Sequence, residues 1–213
     1  MFYIKLYLRI NQILINDIVL MSENIKEFTV FLVIIVFFTI GINFLKKTIN
    51  LDKVISEVNH KEYYVRKLPD KQEAANILGK LTIDLNSLIN NVKDDDRDGV
   101  DRLFKRFKSD IITENIPGST YIAYSVNKGD ELSICIRDRK TEKFLDYNTT
   151  VFVSIHELAH IMSKSRGHTE EFWLNMKYLL IKASEIGIYT QVDYSKNPTT
   201  YCGQEINSTP MNL

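Results

Sequence analysis

Residues 28–45, FTVFLVIIVFFTIGINFL, run 18 positions without a charge, and Thr29, Thr39 and Asn43 are their only polar side chains. A helix needs about 20 residues at about 1.5 Å each to cross the hydrocarbon core of a bilayer, and in lipid it satisfies its own backbone. This pattern predicts a transmembrane helix over 28–45. Bulky Ile42, Phe44 and Leu45 at its end argue against a cleaved signal peptide. Residues 46–70 are polar and mixed and read as a linker; Pro69 disfavours helix at Leu68, and Asp70 can cap a helix starting at 71. From 71 to about 92, Ala74, Ile77, Leu78, Leu81, Leu85, Leu88 and Ile89 recur at the i, i+3, i+4 spacing of one helical stripe. A second stripe on Val100, Leu103, Phe104, Phe107 and Ile111 predicts another helix, ending before Pro117-Gly118.

From 119 the period becomes two. STYIAYSV and ELSICIRD alternate around NKGD, an antiparallel hairpin turning at Lys128-Gly129-Asp130, and a short element comes next near Lys143 to Tyr147. Helices are then expected from about Thr150 to Lys164 and from Thr169 to Gly187. The sum is an α+β fold, a small antiparallel sheet over one helix with backing helices. ELSICIRD is its expected edge strand, to which an extended peptide would add. The domain plan is an N-terminal segment of unknown function over 1–27, a transmembrane helix over 28–45, a linker over 46–70 and a folded domain over 71–213.

Charge changes this picture little: 27 Lys+Arg balance 27 Asp+Glu, so no chain-wide pull toward nucleic acid is indicated. Lys46, Lys47 and Lys53 come after the apolar run, whereas Glu23 and Glu27 offset Lys26 before it, which puts the C-terminal domain of a single-pass membrane protein in the cytoplasm. Lys5 and Arg9 dilute that bias, and Met21 is an alternative start. Asp94, Asp96, Asp98 and Gly99 match half of a calcium loop, but Lys105 stands where its bidentate carboxylate belongs. Cys135 and Cys202 form no CxxC pair, and their spacing asks for no disulfide; free buried thiols are the default.

The chemistry concentrates in HELAHIMSKSRGH, which holds three of the chain's four histidines. His156 and His160, four apart on a helix, share one face a turn apart and can share a zinc ion at Zn–N distances of about 2.0–2.1 Å. Glu157 beside them can take a proton from a water that zinc has made acidic, with a pKa of about 7. Catalytic zinc wants three protein ligands, and His168 is the preferred third, reached through Ser163 to Gly167, a small polar stretch whose glycine lets the chain turn back. Glu185, on the next helix, is its competitor. The long metzincin motif is absent, because Ser163 replaces its glycine. His60 reads as an exposed polar residue. Tyr194 and Tyr201 are candidate oxyanion donors, each more in keeping with packing.

HELAH with GHTEEFW after it resembles the WLM and SprT-like zincin metallopeptidases, relatives of proteases that digest protein crosslinked to DNA. NKGDELSICIRD and the later Tyr201-Cys202-Gly203 resemble short metallopeptidases of large DNA viruses. The resemblance, covering about residues 119–187, implies a zincin-like domain with His156, His160 and His168 as zinc ligands, Glu157 as general base, and Phe172 and Trp173 packed behind the site. The reading is a membrane-anchored zinc metallopeptidase acting on protein or peptide substrates, held in the bilayer through 28–45. Its rivals are a non-catalytic membrane protein with a structural zinc, closed by Cys202 as a fourth ligand, and a DNA-associated protease.

Overall fold

The computed structural model describes residues 28–40, 51–108, 112–116, 123–126 and 131–212, with backbone only at 124–126, 131 and 212. The chain divides into two units, Met1–Ile49 and Asn50–Leu213. In the first, residues 28–40 form helix α1. Among the described residues no helix is long and apolar enough to cross a membrane. This overturns the single-pass reading over 28–45, and with it the bilayer as a partner and the topology argued from flanking lysines; residues 41–45 lie outside the described residues.

The second unit starts with structure where a linker was expected. β1 (Leu51–Ile55) and β2 (Glu62–Arg66) pair antiparallel, Leu51 opposite Arg66. The polar look of this stretch comes from one-faced burial: Tyr63 and Val65 are buried while Glu62 and Tyr64 face out. Helix α2 (Lys71–Val92) carries the expected stripe, burying Ala74, Ala75, Leu78, Leu81, Leu85, Leu88, Ile89 and Val92. Asp70 stands at its N-cap but makes no side-chain cap bond. Its carboxylate instead accepts from Arg137 at 2.6 Å, and the buried Arg137 also donates from Nε to Glu114 at 2.9 Å.

Helix α3 is shorter than its apolar stripe predicts, Val100–Arg106, and Phe107 is already extended. Val100 and Leu103 are buried, but Phe104 is exposed, and Ile111 lies outside the described residues. The chain then enters β3 (Ile112–Glu114), whose three residues are all buried. The expected hairpin is present as β4 (Ala123–Val126) and β5 (Glu131–Ile134), antiparallel with Ala123 opposite Ile134; its turn lies outside the described residues.

Strand order is β1-β2-β3-β5-β4. The sheet is mixed rather than antiparallel, because β3 runs parallel to both β2 and β5. ELSICIRD is also not the edge: β5 lies between β3 and β4, and β4 takes the edge position. Helices α4 (Tyr147–Met162) and α5 (Glu170–Glu185) complete the layer, and a short hairpin, β6 (Thr199–Tyr201) with β7 (Gln204–Ile206), comes after them. Cys135 and Cys202 are not free thiols: they form a disulfide that ties this hairpin to the end of β5.

Candidate metal centre

Helix α4 is buried along nearly its whole length, so its polar side chains must find partners inside. Asp146 caps it, accepting from the Thr149 backbone N–H at 2.7 Å. Thr150 and Ser154 donate back to the carbonyls four residues earlier at 3.0 and 2.8 Å. Met162 ends the helix, its carbonyl accepting from Arg102 of α3. Gly99 makes that approach possible. A Cβ there would lie 2.5 Å from the Met162 carbonyl oxygen, and its φ is +94°.

Beyond α4 the chain reverses through 163–169. Ser163 is buried, donating to the Ala159 carbonyl at 2.7 Å and accepting from Asn175 at 3.0 Å. The Glu171 carboxylate spans the turn, accepting from the Lys164 N–H at 2.7 Å, the Ser165 N–H at 3.0 Å and the Ser165 hydroxyl at 2.7 Å. These donors, first the Lys164 N–H, hold Glu171 down at about 2. Gly167 comes next at φ +78°, and Thr169 caps α5 through the Phe172 N–H. Sequence reasoning missed Glu171, Gly99 and Arg102 as supports. Only the acidic start of α5, Thr169-Glu170-Glu171, hinted at the first.

The turn lays His168 against His156 and His160. The ring centroids are 4.9 Å apart for His156–His160, 4.9 Å for His156–His168 and 5.0 Å for His160–His168. One ligand atom from each lies within 4.8 Å of the others. Phe172, fully buried, backs all three rings at 4.3–4.8 Å, and Trp173 flanks His168 at 5.6 Å. Burial, reinforced by His160 and His168, pushes His156 down to about 3, so its imidazole is neutral at pH 7 with a lone pair to give.

These residues fit a zinc ion. Two nitrogens at about 2.05 Å from a tetrahedral centre sit about 3.3 Å apart, and the Nε2 atoms of His156 and His168 are 3.1 Å apart. Glu157, next to the first histidine, is 8% exposed. Glu185, the competing third ligand, is exposed on α5 and pairs with Lys182 at 3.4 Å, outside the cluster. His60 is exposed, in the turn between β1 and β2.

Neither tyrosine singled out in the sequence joins the histidines. Tyr194 packs its ring on Phe152 at 4.7 Å and donates to Thr149 at 3.3 Å, about two turns up α4 from His156. Tyr201 is fully buried and donates to the Cys135 carbonyl; burial pushes its phenol upward, with the nearby Glu157 carboxylate adding to the effect. Cys202 sits in the disulfide, so it offers no thiolate as a fourth ligand.

The family model of the WLM domain matches residues 55–211. The uncharacterized protein R325 of Acanthamoeba polyphaga mimivirus is 32% identical over 160 residues, 72% of this chain and 81% of the viral protein. The uncharacterized protein 136R of Invertebrate iridescent virus 6 is 36% identical over 83 residues, 38% of this chain and 44% of its own length. Among solved structures, Wss1 from Saccharomyces cerevisiae is similar at a TM-score of 0.47 and 20% identity, covering 62% of this chain and 96% of that one.

Proposed function

The chain belongs to the WLM domain family, with relatives in large DNA viruses, and from that premise we propose that it is a zinc-dependent metallopeptidase cleaving peptide bonds in protein substrates. The observation that carries the proposal is the meeting of three imidazoles from two neighbouring segments, with a carboxylate on the same helix as two of them. His156, His160 and His168 would hold the metal. A bound zinc would supply Lewis-acid polarisation of a scissile carbonyl and acidify the attacking water. Glu157 takes the proton from that water on a carboxylate oxygen and passes it to the leaving amine nitrogen. Phe172 keeps the imidazoles from rotating away and excludes water from behind them. The edge strand β4 would hold the substrate backbone in an extended line, the role first expected of β5.

A structural zinc closed by a fourth protein ligand is disfavoured by the donor set. Cys202, the thiolate that reading required, is bonded to Cys135, and the cluster among the described residues holds three histidines and no further donor.

The test uses the full chain. One zinc per chain is expected in wild type and Glu157→Gln, cleavage of an unfolded protein substrate in wild type only, and loss of metal in His168→Ala but not in Glu185→Ala. Zinc bound with no turnover in wild type, with or without single-stranded DNA, would overturn the peptidase reading. Turnover that rises with single-stranded DNA and falls steeply with salt would make it a DNA-associated protease.

A further inference from the structure

Away from the histidines, a pocket of about 170 Å³ is lined by Cys135 and Cys202 together with Glu114, Arg137, Arg139 and Glu142. Its buried floor includes both cysteines, Glu114 and Arg137; Arg139 and Glu142 at its mouth are exposed. The two cysteines are the chain's whole complement and are separated by 67 residues, so their bond closes a loop containing all of α4, α5 and the cluster. On one side of the bond lies the hairpin tip: Cys202 at φ +52° and Gly203 at +82° join β6 to β7, and Arg139 reaches to within 3.8 Å of where a Gly203 Cβ would stand. On the other side Tyr201 runs into the core beneath α4, bonded to the Cys135 carbonyl and close to Thr150 and Glu157.

We propose that the Cys135–Cys202 bond is a thiol-exchange site, reached through this pocket by a small thiol reductant, and that its reduction unlatches the β6–β7 hairpin. A reductant thiolate forms a bond to one cysteine sulfur, the Cys135–Cys202 bond breaks, and the departing sulfur takes a proton. A second thiolate then attacks the reductant sulfur of this mixed disulfide; the reductant pair leaves as its disulfide, and the released second cysteine sulfur takes a proton. A left-handed backbone is unfavourable for any residue but glycine, so Cys202, freed from its bond, gains by leaving the turn. Tyr201, the adjoining residue, is drawn with it from beside Glu157. The exchange stands on the pocket and the bond; any meaning for catalysis of moving Tyr201 away from Glu157 rests on the function proposed above.

The full chain, folded and without denaturant, is treated with millimolar dithiothreitol or reduced glutathione. Thiols are counted as N-ethylmaleimide adducts by intact mass, and hydrogen exchange is tracked over residues 199–206. The expectation is two adducts with both reagents, exchange in 199–206 faster by about tenfold or more, and a melting temperature lower by about 5–15 °C. Arg139→Glu should slow reduction by the anionic glutathione several-fold and leave dithiothreitol unaffected. Cys135→Ser/Cys202→Ser should reproduce the reduced exchange pattern; if that variant does not fold, the reduced wild type carries the comparison. Thiols that appear only after denaturant, or reduction that changes neither exchange nor melting, overturn the proposal. Unlatching in a protein that never cleaves substrate would sink the peptidase reading and leave the exchange site standing.

Discussion

Gly99 and Gly167 both hold positive φ, at +94° and +78°, but their surroundings separate what substitution would cost. An alanine at 167 meets nothing within 4 Å, so only the left-handed penalty applies, about 1 kcal/mol. At 99 the added Cβ would also strike the Met162 carbonyl oxygen and Cγ, forcing α3 away from the end of α4. Gly99→Ala is expected to cost about 2–4 kcal/mol, read as a midpoint shift in urea at least twice that of Gly167→Ala. Glu171 works on the same turn from the opposite side. Its folded-state value is depressed from 4.5 to about 2, so its contribution to stability is complete above 4.5 and lost as pH falls toward 2. Glu171→Gln should therefore melt a few degrees below wild type at pH 7, with the gap closing near pH 2. By loosening the segment that carries His168, it should weaken zinc binding about tenfold in a chelator competition. The convergence of His156, His160 and His168 was legible from their spacing, because a helix and a short glycine turn leave few ways to arrange them. Glu171 was not, because its partners are mostly backbone N–H groups, which leave no mark on the sequence.

Element by element, legibility tracked length and one-sidedness. The 22-residue α2 repeats its apolar stripe often enough to fix both type and ends. Strand β3 has three residues, Ile112, Thr113 and Glu114, buried between two parallel neighbours with no alternation to see, and the polar Glu114 is accommodated by Arg137 and the Arg66 N–H. The tail of the α3 stripe suggested helix up to the point where the sheet takes over. Missing β1, β2 and β3 also misplaced the edge: a lone hairpin makes either strand a candidate, and only β3 docking on β5 leaves β4 outside. Along an antiparallel edge, alternate N–H groups face the neighbour and the open side. Of Tyr124→Pro and Ser125→Pro, the one whose N–H faces outward should keep the fold and lose cleavage of extended peptides at least tenfold, while the other destabilises the β4–β5 pair. Equal turnover in two folded variants would exclude β4 as the substrate strand.

At the scale of the whole molecule, the core of the second unit runs from Tyr63 on β2 to Cys202 at the hairpin tip, so the N-terminal strands and the C-terminal hairpin share one interior. The sequence suggested the opposite emphasis, an anchor before 46 and a passive linker up to 70, because a charge-free run is conspicuous and a half-buried edge strand is not. Among the described residues no helix is long and apolar enough to cross a membrane, and the stretch taken for a linker supplies two of five strands. Since every core residue among the described residues belongs to the unit Asn50–Leu213, that unit should fold with its own cooperative transition. Removing residues 1–49 is expected to leave melting within about 2 °C of the full chain and zinc at one per chain. Removing residues 1–66, which takes away β1 and β2 and strips cover from the buried Ile112 and from α2, should abolish the transition altogether. If the shorter chain still melts cooperatively, the two N-terminal strands are an accessory and the sheet begins at β3.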